Sequence, residues 1–154
     1  MRFLFVRLPW LVMGSLMLTG VVIGFANVVS RYLFGHAFFW AEEVMVFLTI
    51  WGVFIGVAAA AYDRAHLKMD LFSRAFGAGA TRAMNVALTA TLLGCCVFML
   101  VQSWQVVTLF YQGGVVSVSA GVPKWIPHAA LPAGFALTAL AVLVRLRLYL
   151  SGKP

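Results

Sequence analysis

The chain has 154 residues, of which 64% are hydrophobic and 10% are charged, and its mean hydropathy is +1.01. A soluble domain is about half apolar and about a quarter charged, so this composition excludes an ordinary soluble protein. The formal net charge of +7 does not indicate nucleic-acid binding, because the basic residues flank apolar stretches instead of forming one dense face. That arrangement suits the anionic head groups of phospholipids.

Four apolar stretches occupy nearly the whole chain. A helix that crosses the hydrocarbon layer needs about 20 apolar residues, so we predict spans over residues 9–34, 40–62, 82–111 and 126–148. Arg2 and Arg7 before the first stretch resemble the start of a signal peptide. The stretch is longer than a signal core, however, and we expect a retained span. The prediction is an all-α integral membrane protein with a single four-span domain over residues 1–154.

The third stretch is longer than one crossing of the membrane requires. A helix from Arg82 to Tyr111 would extend about 45 Å, whereas the hydrocarbon layer is about 30 Å thick. We therefore expect this helix to tilt or to project from the membrane. Trp104 lies about 20 residues into this helix, at the depth expected for the membrane–water interface, where tryptophan is common. Trp40 and Trp125 lie at the starts of the second and fourth spans and are further candidates for interfacial anchors.

The segment between the second and third spans, residues 63–81, has an amphipathic pattern. Phe72 and Phe76 share one helical face with other apolar residues, and Arg64 and Lys68 lie largely away from it. We expect a helix lying flat on the cytoplasmic membrane surface, anchored to lipid head groups or to a partner. The candidate residues are Arg64, His66, Lys68, Asp70, Phe72 and Phe76. An irregular solvated loop is the alternative.

The Lys and Arg residues are distributed unequally between the two sides of the predicted spans. Nine of the eleven lie in the N-terminal tail, the second loop and the C-terminal tail, and two lie in the first and third loops. Cytoplasmic segments carry the excess of positive charge. The pattern predicts that both termini are cytoplasmic.

Small residues recur at every fourth position in two spans. Gly20 and Gly24 do so in the first, and Gly52 and Gly56 in the second. Such spacing allows close helix contact in lipid, so these glycines are candidates for helix packing within the chain or against a partner. The alternative is that glycine is simply common in membrane spans.

The candidate chemical groups lie mainly at the ends of the spans. Glu42 and Glu43 begin the second span, and Arg31 ends the first, so a helix cap with an ion pair across the short loop is expected. A proton or ion relay is the alternative, but it needs ionisable partners at membrane depth, which the other spans do not supply.

The sequence predicts no cofactor, no metal and no catalytic residue. His36 and His66 lie in loops and His128 lies at the start of the fourth span, so they are poorly placed to bind haem between helices. Cys95 and Cys96 are adjacent in an apolar run and are interpreted as packing residues. A non-catalytic subunit is therefore favoured. The alternatives are a four-span membrane redox or lipid enzyme and a self-contained small exporter.

Five short motifs follow one another in a specific order and spacing. They are Asn27-Val-Val-Ser-Arg31-Tyr32, Trp40-Ala41-Glu42-Glu43, Ala65-His66-Leu67-Lys68-Met69-Asp70, Pro123-Lys124-Trp125-Ile126-Pro127 and Leu131-Pro132-Ala133-Gly134-Phe135. With these motifs the chain resembles, over residues 10–145, the small membrane subunit of TRAP (tripartite ATP-independent periplasmic) transporters.

The resemblance implies a multi-pass protein of the bacterial inner membrane that works in a secondary symporter for organic acid uptake. A periplasmic substrate-binding protein would deliver the solute, and a large membrane subunit of the elevator type would carry the substrate and sodium sites. The small subunit would act as a fixed scaffold and form part of the docking surface. Lys124 and Trp125, with the loop before them, are the candidates for docking.

Overall fold

A computed structural model describes residues 7–62, 78–146 and 149. Five helices follow one another in these residues: α1 (Leu8–Leu33), α2 (Phe39–Tyr62), α3 (Ala78–Gln112), α4 (Trp125–His128) and α5 (Ala130–Val144). The segments Leu8–Leu33, Phe39–Tyr62, Arg82–Gln112 and Trp125–Val144 are each long and apolar enough to cross a membrane. The prediction of an all-α protein with four membrane-spanning helices is confirmed for this part of the chain.

Two loops lie at one end of the helices. Residues 34–38 join α1 to α2, and residues 113–124 join α3 to α4; we call this end the hairpin end. The predicted amphipathic segment covers residues 63–81, of which 63–77 lie outside the described residues and 78–81 belong to α3. Its six candidate residues therefore stay predictions, as does the cytoplasmic location of both termini.

The fourth span is less regular than the single helix expected from residue 126. It begins one residue earlier, at Trp125, and is interrupted at Ala129 between α4 and α5. Pro127 and Pro132 flank this break, and neither can donate a backbone hydrogen bond to the helix. The described helix ends at Val144, and residues 147–148 of the expected span are not among those described.

The helices do not pack in their order along the chain. The main contacts pair α1 with α2, α2 with α5, and α5 with α3, so α5 lies between α2 and α3. The position of α5 is reflected in its burial, since six of its residues are buried: Ala130, Pro132, Gly134, Thr138, Ala141 and Val142. In α1, which is described along its whole length, Ser30 is the only buried residue.

A narrow stripe of small side chains runs along α3. Thr89, Cys96 and Ser103 recur at every seventh position and are all buried, which is the periodicity of a helix packed along one seam. The buried hydroxyls are satisfied inside the helix. Thr89 donates to the Asn85 carbonyl at 2.7 Å, and Ser103 donates to the Met99 carbonyl at 2.6 Å. The stripe can therefore be polar in composition without leaving buried hydroxyl groups unpaired.

A compact cluster forms at the end of the helices opposite the hairpin end. It contains Ala61, Tyr62, Ala141, Val142 and Tyr149. The Tyr149 hydroxyl donates a hydrogen bond to the Ala61 carbonyl in the last described turn of α2. This cluster attaches the segment after α5 to the end of α2.

Candidate functional site

Glu43 links α2 to the loop between α3 and α4. Its carboxylate accepts hydrogen bonds from the backbone amides of Ala120 at 2.7 Å and Ser119 at 3.2 Å. Glu43 is half-buried, whereas its neighbour Glu42 is exposed. An anionic acceptor makes stronger hydrogen bonds than a neutral one, so this contact holds a loop that is more than 70 residues away in sequence.

The loop itself is ordered by its own backbone. Val116 and Pro123 form an antiparallel bridge, and the Lys124 amide donates to the Val115 carbonyl at 2.9 Å. Buried Ser117 closes the tip, because its amide donates to the Val122 carbonyl at 2.8 Å and its hydroxyl accepts from the Val122 amide at 3.1 Å. The result is a short hairpin, residues 115–124, whose tip is residues 118–121.

The base of this hairpin is packed with rings. Tyr111 and Trp125 meet edge to face with 5.9 Å between ring centroids. The rings of Phe110 and His128 are 4.5 Å apart, and the His128 ring nitrogen Nδ1 lies 2.7 Å from the Lys124 carbonyl oxygen. These contacts connect the end of α3 to α4 directly beneath the hairpin.

The short loop between α1 and α2 is held by side chains of α1. The Asn27 side-chain oxygen accepts a hydrogen bond from the Phe38 amide at 2.7 Å, and the Ser30 hydroxyl donates to the His36 carbonyl at 2.7 Å. Both residues belong to the motif that closes the first predicted span. They fix the position at which α2 begins.

The expected ion pair of Arg31 with either Glu42 or Glu43 is not formed among the described residues. The guanidinium of Arg31 lies over the ring of Tyr32, 5.3 Å from its centroid, and Glu43 is engaged by the hairpin tip. The physical reason is that the tip offers two backbone N–H groups to one carboxylate, whereas an exposed ion pair contributes little.

The glycine pairs fit side chains of the neighbouring helix. An added Cβ at Gly56 would lie 2.7 Å from the sulfur of Met13, and one at Gly52 would lie 2.9 Å from the terminal methyl of Met17. An added Cβ at Gly24 would lie 2.8 Å from the sulfur of Met45, whereas one at Gly20 would have no atom within 4 Å. Three of the four glycines therefore line the contact between α1 and α2.

A closer contact lies between α2 and α5. An added Cβ at Gly134 would lie 2.6 Å from the Cβ of Phe54, and the rings of Phe54 and Phe135 are 5.6 Å apart. Sequence reasoning placed Gly134 in a motif but did not pair it with Phe54. Small residues do recur at every fourth position here, at Ala130, Gly134 and Thr138, and all three are buried, so this spacing was the signal that could have indicated the contact.

The remaining aromatic candidates lie on the surface of the chain. Trp40 and Trp104 are exposed by 43% and 60%, as expected for side chains that meet lipid or a partner. No group of three His, Cys, Asp or Glu side chains within residues 7–62, 78–146 and 149 is arranged to hold a metal ion.

Four apolar helices with short ordered loops at one end define a multi-pass α-helical membrane protein. The sequence matches the family described as tripartite ATP-independent periplasmic transporters, DctQ component, over residues 20–151. The chain belongs to this family of small permease components and is a multi-pass protein of the inner membrane.

Two relatives are similar over most of this chain. The ectoine TRAP transporter small permease protein TeaB of Halomonas elongata is 28% identical over 118 residues, which are 77% of this chain and 61% of the relative. The C4-dicarboxylate TRAP transporter small permease protein DctQ of Vibrio cholerae is 28% identical over 135 residues, with 73% of this chain and 58% of the relative covered. The chain thus spans about three fifths of the length of these relatives.

Proposed function

We propose that this chain acts as a fixed scaffold in an ion-gradient-driven, ATP-independent importer of organic acids. Its partners are a large elevator-type membrane subunit and a periplasmic substrate-binding protein, and the hairpin end forms part of the docking surface. Family membership is the observation that carries the proposal. The names of the two relatives, one for ectoine and one for C4-dicarboxylates, support a small organic solute.

The exposed apolar faces of the helices support a scaffold. Large apolar side chains of α1 remain exposed, among them Leu18 at 65%, Val21 at 67% and Phe25 at 70%. In a membrane these side chains meet either lipid or another helix, and neither requires a buried charge. A long subunit interface along such a face would hold the chain still while a neighbouring subunit moves.

The proposed roles of the individual residues follow from their positions. Gly52 and Gly56 allow close helix packing, while Lys124 and Trp125 contribute to docking at the base of the hairpin. Glu43 orders the hairpin between α3 and α4, and Arg31 and Glu42 lie at the same end of the helices. The phospholipid contacts are assigned to the interfacial tryptophans and to the basic segment between α2 and α3.

Reconstitution tests the proposal. Vesicles with the large subunit, this chain and the solute-loaded binding protein are expected to accumulate an organic acid under a sodium gradient, whereas vesicles lacking any one component are not. Transport by this chain alone would overturn the scaffold role and favour an exporter. Replacing Lys124 by Glu is expected to slow uptake when the binding protein is limiting, and an unchanged rate would remove Lys124 from the docking surface.

A further inference from the structure

The hairpin tip combines a fixed backbone with an exposed apolar side chain. Val118 is 93% exposed, which is the highest value among the large apolar side chains described. Its neighbours Ser117, Ser119, Ala120 and Gly121 are small and uncharged. Small side chains allow another backbone to approach closely, and an exposed valine gains free energy when a partner covers it.

Among the residues that the structure describes, Glu43 is the one charged side chain that holds this tip. The Glu43 carboxylate accepts hydrogen bonds from the backbone amides of Ser119 and Ala120, the two residues that follow Val118. The neighbouring Glu42 has no hydrogen bond or ion pair among the described residues. A loop fixed in its binding shape loses less conformational freedom on association, so a carboxylate that orders the tip would strengthen binding without touching the partner.

We propose that Glu43 is a positioning residue that holds the hairpin tip in the shape recognised by the periplasmic substrate-binding protein, with Val118 as the apolar contact. This inference rests on the proposed function, since that function supplies the partner at this end of the helices. The partner surface we expect is an apolar patch on the binding protein that covers Val118, with the surrounding surface close to the small uncharged residues of the tip.

The first experiment measures the order of the tip in the isolated chain. A nitroxide label at Val118→Cys, with Cys95 and Cys96 replaced by alanine, reports local mobility in detergent or vesicles. We expect Glu43→Gln to increase the mobility of the label, while Glu42→Gln, the same change of charge one residue away, leaves it as in the parent. Equal mobility in the two variants would overturn the positioning role. In vesicles the label should collide more often with a water-soluble nickel chelate than with oxygen, and the reverse would assign Val118 to lipid.

The second experiment measures capture of the binding protein by the reconstituted transporter. Glu43→Gln and Val118→Ser are each expected to raise the half-saturating concentration of solute-loaded binding protein about fivefold, with the maximal rate unchanged. Val118→Ser keeps the fold because the side chain is exposed. An unchanged half-saturating concentration would overturn the docking step. Full uptake without this chain would instead overturn the proposed function, and the mobility of the label would still decide whether Glu43 orders the tip.

Discussion

Phe54 of α2 lies directly against Gly134 of α5, so closely that a methyl group on the glycine would be 2.6 Å from the Cβ of Phe54. The obstructing atom is attached to the backbone and cannot move by a change of rotamer. The contact joins the two helices that occupy the middle of the packing order α1–α2–α5–α3. At this point of contact, the close approach of α2 and α5 therefore requires a glycine at position 134.

Gly134→Ala is expected to destabilise the chain by about 1–3 kcal/mol, because overpacking a close contact forces the helices apart. Thermal unfolding of the purified chain in detergent measures the effect. Gly94→Ala is the matched control, since Gly94 also lies inside a helix but an added Cβ there meets nothing within 4 Å. Equal unfolding temperatures for the two variants would contradict this account of the contact.

Gly56→Ala is expected to cost less than about 1 kcal/mol, although its Cβ would lie only 2.7 Å from a neighbouring atom. That atom is the sulfur of Met13, near the end of a flexible side chain that can move aside. Gly56→Leu is instead expected to destabilise the chain, and adding Met13→Ala to that variant should recover part of the lost stability. Additive effects of the two changes in a double-mutant cycle would refute direct contact.

The membrane-spanning helices were predictable because each leaves a local signal, an apolar run of sufficient length bounded by polar residues. The contacts that organise these helices depend on residues distant in sequence. The glycine repeat at Gly52 and Gly56 indicates a packing face but not that methionines fill it, and nothing near Glu43 indicates that its partners are the amides of residues 119 and 120. Every residue except proline carries a backbone amide, so residue types do not indicate which amides a carboxylate will bind.

The loop between α1 and α2 offers a third prediction. Asn27→Ala removes the acceptor of the Phe38 amide and is expected to lower stability by about 0.5–2 kcal/mol, the usual range for losing a side-chain cap of this kind. Asn27→Asp keeps an acceptor oxygen beside the start of α2, where negative charge is favourable, and should retain most of the stability. Chemical or thermal unfolding of both variants measures the difference. An aspartate variant as unstable as the alanine one would argue against the hydrogen bond.

The orientation of the chain can be tested at the hairpin tip. With Cys95 and Cys96 replaced by alanine, Val118→Cys is expected to react with a membrane-impermeant maleimide added to intact spheroplasts. Gly152→Cys, in the C-terminal tail, should react only after the membrane is permeabilised, because the excess of Lys and Arg predicts a cytoplasmic location for that tail. The opposite pattern of labelling would reverse the predicted topology.

At the end of the helices opposite the hairpin end, the Tyr149 hydroxyl joins the segment after α5 to α2. Tyr149→Phe keeps the ring in the cluster with Ala61 and Val142 but removes the donor to the Ala61 carbonyl. We expect a loss of about 0.5–1.5 kcal/mol, the usual net contribution of one hydrogen bond, and faster proteolysis of the chain after α5. Tyr111→Phe is the control, because that residue is 67% exposed and its ring contact with Trp125 does not need the hydroxyl. If both phenylalanine variants unfold at the same temperature as the parent, the hydrogen bond does not stabilise this end, and packing in the cluster, with the Arg145 guanidinium over the Tyr62 ring, accounts for the attachment of the C-terminal segment to α2.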